Sequence, residues 1–163
     1  MKRINWIINH PLYKSSYARL EELEKDRIFC CHQMTHLLDV ARIAYIQNLE
    51  QNLKIDKVIV YAAALLHDIG KHRQYEEKIP HELASEEIAR TILTSMPEDL
   101  KFSSEEQDMI CQAIRNHRRP TDTASEFDRL LYTSDKASRN CFCCSAQMEC
   151  NWSETKKNME IQL

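Results

Sequence analysis

Glycine is almost absent from this chain, with 1 residue in 163, and proline is scarce at 4. So few turn-forming residues exclude a fold built on β-hairpins, and the abundance of Leu, Ala, Glu, Lys, Ile and Gln favours helix. Long apolar runs are also missing: the longest, Val58 to Leu66, is about half of the ~18 residues that suggest a membrane span. The first six residues, Met-Lys-Arg-Ile-Asn-Trp, lack the apolar stretch and small-residue cleavage site of a secretory signal. No basic block stands out beyond Arg115, Arg118 and Arg119, and 22 Lys and Arg face 25 Asp and Glu. A duplex nucleic-acid partner is therefore not expected, because backbone binding needs a clustered cationic face. Seven cysteines are an odd number in a chain without an export signal, so free thiols and a cytoplasmic location are expected.

At this length one domain is expected, residues 1–163, with one site, as a monomer or homodimer. The reading is all-α, about six helices. The first runs from Tyr17 to Phe29, with Leu20, Leu23 and Ile28 inward, and the second from Thr35 to Leu49. Asp56 caps a third, Lys57 to Asp68, which is apolar nearly all round and so central. Gly70 stands where a left-handed C-cap is wanted. Pro80 precedes a fourth helix from His81 to Ser95. Ser103 and Glu106 form a capping box for a fifth that ends near His117, and a sixth spans Ser125 to Arg139. The Cys-rich tail, 140–163, carries no assignment.

Metal-competent side chains occupy positions where helical periodicity demands hydrophobes. His36 lies on the stripe of Val40 and Ile43, and His67 and Asp68 end the most apolar helix. His81 shares a face with Ala84 and Ile88, His117 with Ile110, Ala113 and Ile114, and Asp135 with Phe127 and Leu131. Singly, each has an ordinary explanation as a hydrogen-bonded core residue or a helix cap. Together, four imidazoles and two carboxylates in one small core are hard to account for without metal. A mixed nitrogen and oxygen set suits iron, manganese, zinc or cobalt.

The strings His36-Leu-Leu-Asp-Val-Ala-Arg-Ile-Ala, Ala64-Leu-Leu-His67-Asp68-Ile-Gly-Lys71 and Asp135-Lys136 resemble the HD superfamily of metal-dependent phosphohydrolases, over residues of about 30–140. The resemblance implies His36, His67, Asp68 and Asp135 on one divalent ion. His81 in His-Glu-Leu-Ala-Ser-Glu-Glu-Ile-Ala and His117 in Ala-Ile-Arg-Asn-His resemble the added ligands of HD enzymes with two metals, with Asp68 bridging. It implies one or two ions, with Fe or Mn favoured and Zn, Co, Ni or Mg as alternatives. Metal-activated hydroxide would attack a small phosphate ester or anhydride, such as a nucleotide. Ala113 to Arg119 and Leu-Tyr-Thr-Ser-Asp-Lys136 look most like the symmetrical diadenosine tetraphosphate hydrolases of that superfamily, with Arg118 standing where they usually have a small hydroxyl residue.

Lys71, beside Asp68, is a candidate for binding phosphate or assisting the leaving group, against a solvated Lys at a helix end. Arg115, Arg118 and Arg139 lie near candidate ligands, and guanidinium forks suit phosphate oxygens, although exposed arginine is the ordinary case. Arg118 and Arg139 are carried forward with Lys71 as substrate-binding candidates. His32, four residues before His36, is read as a supporting or capping residue. The Cys141, Cys143, Cys144 and Cys150 cluster is weighed as a structural zinc site and set aside in favour of free thiols in a terminal loop or helix. Two rivals share the ligands: a di-iron oxygenase and a nucleotide sensor without turnover.

Overall fold

Helix starts and stops are written locally, and most are where the sequence places them. The computed structural model describes residues 1–161, all helix, turn and coil; the expected domain span runs on to residues 162 and 163, which lie outside the described residues. Eight α-helices follow in order: α1 Lys2–Asn9, α2 Pro11–Glu24, α3 Met34–Glu50, α4 Lys57–Leu66, α5 Lys71–Glu77, α6 His81–Thr94, α7 Ser104–Asn116 and α8 Glu126–Ala137. Asp56 caps α4 by accepting from the Val58 N–H, and Ser103 with Glu106 closes a capping box on α7. A second capping box, Ser125 with Asp128, opens α8; each such cap satisfies amides that have no partner inside the helix.

Two helices lie beyond the expected six. α1 is short and turns Ile4 and Ile7 inward, and Pro11, at the first position of α2, ends it while starting its successor. α2 therefore begins and ends earlier than the apolar stripe suggested, and Ile28, expected to point inward, is exposed in the following coil. The other, α5, begins directly after Gly70.

Gly70 corrects an expectation. Its φ is −86°, so it is not a left-handed cap. A Cβ there would lie 2.3 Å from the Ser85 nitrogen and 2.5 Å from the Ala84 carbonyl carbon. The one glycine of the chain is needed for close approach: the turn after α4 presses against α6, and the Gly70 N–H donates to Ser85 Oγ at 2.9 Å.

α4 is the central element, as its composition demands, with seven of its ten residues buried. It packs against α1, α3, α6, α7 and α8. Its C-terminal end, the first turn of α3, the N-terminus of α6 and the C-terminal parts of α7 and α8 meet at one place. Beyond α8 the chain makes a single 3₁₀ turn, Cys141–Cys143, and then turns and coil.

Candidate metal centre

The six residues singled out for their chemistry come together. His36, His67, Asp68 and Asp135 offer donor atoms all within 4.8 Å of one another, and Asp68, His81 and His117 form a second such set. All six are buried. Asp68 belongs to both sets and divides its carboxylate between them. Oδ2 lies 3.0 Å from His67 Nε2 and 3.4 Å from His36 Nε2. Oδ1 lies 3.4 Å from His81 Nε2 and 3.5 Å from His117 Nε2. Asp135 Oδ1 faces the first pair, 3.4 Å from His36 Nε2 and 3.8 Å from His67 Nε2.

What orients the rings was not legible in the sequence. In each imidazole Nδ1 is committed outward. His67 Nδ1 is 2.6 Å from the Ala64 carbonyl, and His117 Nδ1 is 2.5 Å from that of Ile114. His81 Nδ1 is 2.6 Å from Gln74 Oε1. His36 Nδ1 is 3.0 Å from Ser138 Oγ, whose hydroxyl donates to the Asp135 carbonyl. The carbonyls and the amide oxygen can only accept, so those Nδ1 atoms carry a hydrogen and each Nε2 is the atom left facing the centre. That is the arrangement by which outer partners fix a ligating histidine.

The donor set fits a divalent ion. His67 Nε2 and Asp68 Oδ1 are fully buried without a hydrogen-bond partner, a state that costs on the order of 1–3 kcal/mol per group unless something else engages them. Burial alone would raise both carboxylates, but His67 and His32 around Asp68, and Arg139 and His67 around Asp135, hold each well below the usual carboxylate range. Burial alone would lower His67, yet Asp68 and Asp135 raise it to about 10; a cation at the same spot would feel the same pull. Burial, with Arg139 adding to it, lowers His36 to about 4, and burial, with His117 adding to it, lowers His81 to about 2, which leaves both as neutral nitrogen donors.

His32 and Glu24 adjoin the site; sequence reading gives His32 a supporting or capping role and does not single out Glu24. His32 caps no helix. Its Nδ1 is 2.6 Å from Glu24 Oε1, and its Nε2 lies 3.7 Å from Asp68 Oδ2. Tyr75 donates to Glu24 at 2.6 Å. Glu24 ends α2 as an ordinary helical acid in sequence, and only tertiary packing buries it.

The substrate-binding candidates part company. Lys71 lines a cavity of about 800 Å³ above the centre, with Nζ 3.5 Å from His81 Nδ1, and burial lowers its pKa. Arg118 stands exposed at the rim, 3.5 Å from Glu82. Arg139 is buried against the donors, its Nη2 donating to His36 Nε2 at 2.9 Å and to Asp135 Oδ1 at 3.3 Å. Arg115 keeps an ordinary surface role, paired to Glu86 at 2.7 Å outside the cavity. The same cavity is lined by Arg27, Arg119, Lys136, Lys156 and Lys157, so cations scattered along an acidic chain converge on one mouth. Lys136 also pairs with Asp135 Oδ2 and lies over the Tyr132 ring at 5.0 Å.

A helical fold that gathers four imidazoles and two carboxylates at its helix ends defines a class of proteins built around a buried His/Asp centre suited to divalent metal. The HD domain family model matches residues 34–146, and the chain belongs to the HD domain family, generally one of metal-dependent hydrolases. An uncharacterized protein of Clostridium beijerinckii is 46% identical over 162 residues, spanning 99% of this chain and 99% of that one. No solved structure matches the chain. Among the described residues, no helix is long and apolar enough to cross a membrane.

Proposed function

We propose that this protein is a metal-dependent phosphohydrolase that cleaves a nucleotide or a similar small phosphate ester or anhydride. The observation that carries the reading is Asp68, whose two oxygens serve two separate histidine pairs on the floor of a cavity walled by cations. His36, His67, Asp68 and Asp135 would hold one divalent ion, and His81 and His117 a second with Asp68 between them; the mixed nitrogen and oxygen donors suit iron, manganese, zinc or cobalt, and the family resemblance favours iron or manganese. When bound, the ions supply Lewis acidity and bring the pKa of water into the neutral range.

The chain's own residues do the rest. Lys71 and Arg118, at the wall and rim of the cavity, bind the phosphoryl oxygens. The lowered pKa of Lys71 suits it to give a proton to the leaving oxygen. Arg139, which lines the cavity and donates to Asp135, offsets carboxylate charge, and its Nη2 would turn from His36 to the phosphate once an ion takes the His36 Nε2 lone pair. Tyr132 and Trp152, both on the cavity wall, offer aromatic faces against which a base can stack. A cytoplasmic location belongs to the same proposal, since thiols stay reduced there.

Release of inorganic phosphate and nucleotide from mononucleotides, dinucleoside polyphosphates and simple phosphate esters tests it, with anaerobically prepared protein and added iron or manganese. Selective turnover that a chelator abolishes is expected. Silence across the panel, with oxygen consumed instead, would transfer the same centre to oxygenase chemistry; ligand binding without turnover would make it a sensor.

A further inference from the structure

The seven cysteines divide into three with an explained place and four without. Cys111 is buried in the core on α7. Cys31 lies past the end of α2 with its thiol toward carbonyl oxygens, that of Phe29 at 3.5 Å. Cys143 is exposed, its sulfur 3.5 Å from the Asn140 carbonyl. The remaining four, Cys30, Cys141, Cys144 and Cys150, all line the cavity. Among the described residues their sulfurs make no hydrogen bond, and no disulfide joins them. Cys30 comes from the coil before α3 and the others from the C-terminal segment, so remote parts of the chain bring thiols to one wall.

That segment is held by scattered contacts, among them Gln147 Nε2 donating to the Cys141 carbonyl at 3.2 Å and Lys136 over the Trp152 ring at 5.7 Å, rather than by regular structure. Among the described residues from Cys141 onward there is one 3₁₀ turn, and the buried ones are Cys141, Ala146 and Asn158. Phe142, Met148 and Ile161 are exposed. Asn158 Nδ2 ties it to α8 by donating to the Ala137 carbonyl at 2.8 Å, and within the segment the Phe142 N–H donates to the Asn158 carbonyl at 3.2 Å. A stretch of this kind, without regular structure or a core of its own, ordinarily needs a covalent or metal staple.

We propose that Cys30, Cys141, Cys144 and Cys150 form a structural zinc site, separate from the His/Asp centre, that pins the C-terminal segment beside the mouth of the cavity. Cys141-Phe-Cys-Cys144 carries the two-residue spacing with which structural zinc sites commonly open, a match that the free-thiol reading overlooked. Four thiolates select a softer ion than the His/Asp donors, so the two centres sort different metals. Among the described residues the groups whose donors already lie within 4.8 Å of one another are the two His/Asp sets, so the thiols of the proposed site close on the ion as it binds. Burial raises Cys30, Cys141 and Cys144 add to the rise, and Arg139 opposes it, which places these charges in each other's field. Lys157, whose ammonium donates to Glu154 Oε1 at 2.7 Å, also lies within the field of Cys150 and Cys141. Arg139 and Lys157 thus stand where the net negative charge of a zinc tetrathiolate would need balancing.

Zinc content and the cobalt-substituted spectrum of the full-length protein test this, compared among the wild type, a variant carrying His67→Ala with Asp68→Ala, and one carrying Cys141→Ser with Cys144→Ser. The expected result is about one zinc per chain that survives loss of the His/Asp donors. Cobalt should give intense thiolate charge-transfer absorption that the serine variant loses. Thiol titration should count about four fewer reactive groups until a chelator is added. Absence of charge-transfer absorption from the cobalt-loaded wild type would overturn the proposal, whatever the variants do, because cobalt held by thiolates must show it.

Discussion

The Nε2 atoms of His81 and His117 face each other across 3.1 Å, while the Nδ1 atom of each ring is engaged elsewhere, by Gln74 and by the Ile114 carbonyl. Two imidazoles with their hydrogens on Nδ1 present lone pairs to one another, an arrangement that a shared cation relieves and a hydrogen bond does not.

Gln74 is then the residue to remove. Gln74→Leu frees the His81 ring to turn, and the affinity of the His81–His117 set for manganese should fall on the order of 10–100-fold. The His36–His67–Asp135 set, which Gln74 does not touch, should keep its affinity. Titration calorimetry reads both phases; equal weakening of the two would show that Gln74 acts on the whole fold rather than on His81.

Gly70→Ala should cost about 2–3 kcal/mol. The atoms a Cβ would meet, the Ser85 nitrogen and the Ala84 carbonyl carbon at 2.3 and 2.5 Å, are backbone, and α6 would have to move. Denaturant melts measure the loss. A stability within about 0.5 kcal/mol of the wild type would mean that α6 is not held against this turn.

Glu24 makes stability depend on acid. Burial alone would raise its pKa, but His32, Tyr75 and the His32 amide outweigh burial and lower it from 4.5 to about 2. A carboxylate lowered in the folded state contributes stability above its unfolded pKa and loses it as pH falls through the folded one. Glu24→Gln should therefore destabilise the protein by up to about 3 kcal/mol at pH 7. The difference from the wild type should begin to shrink as pH falls below 4.5 and vanish near 2. Paired melts across that range check it, and a difference that does not change with pH would assign the effect to packing.

The ligand-type residues were legible because the core penalises unsatisfied polar groups: Asp68 after five apolar helical residues has no cheap explanation. The helix caps at Asp56 and Ser103 were legible for the same reason, being local chemistry. Gly70 was misread because a glycine after a helix more often serves a left-handed turn than a close approach, and the partner, Ser85, is remote in sequence. Glu24, Gln74 and Ser138 carry no polarity out of place; each became visible only when packing set it against an imidazole. The cationic mouth was hidden similarly, since its members come from across the chain.

Ion stoichiometry decides whether Asp68 joins two ion sites. The protein is reconstituted anaerobically with manganese, and manganese is counted apart from zinc. About two manganese ions per chain are expected in the wild type, about one in His117→Ala, and almost none in Asp68→Ala, whose helical content by circular dichroism stays near that of the wild type. An Asp68→Ala protein that still binds manganese as the wild type does would contradict that role for Asp68.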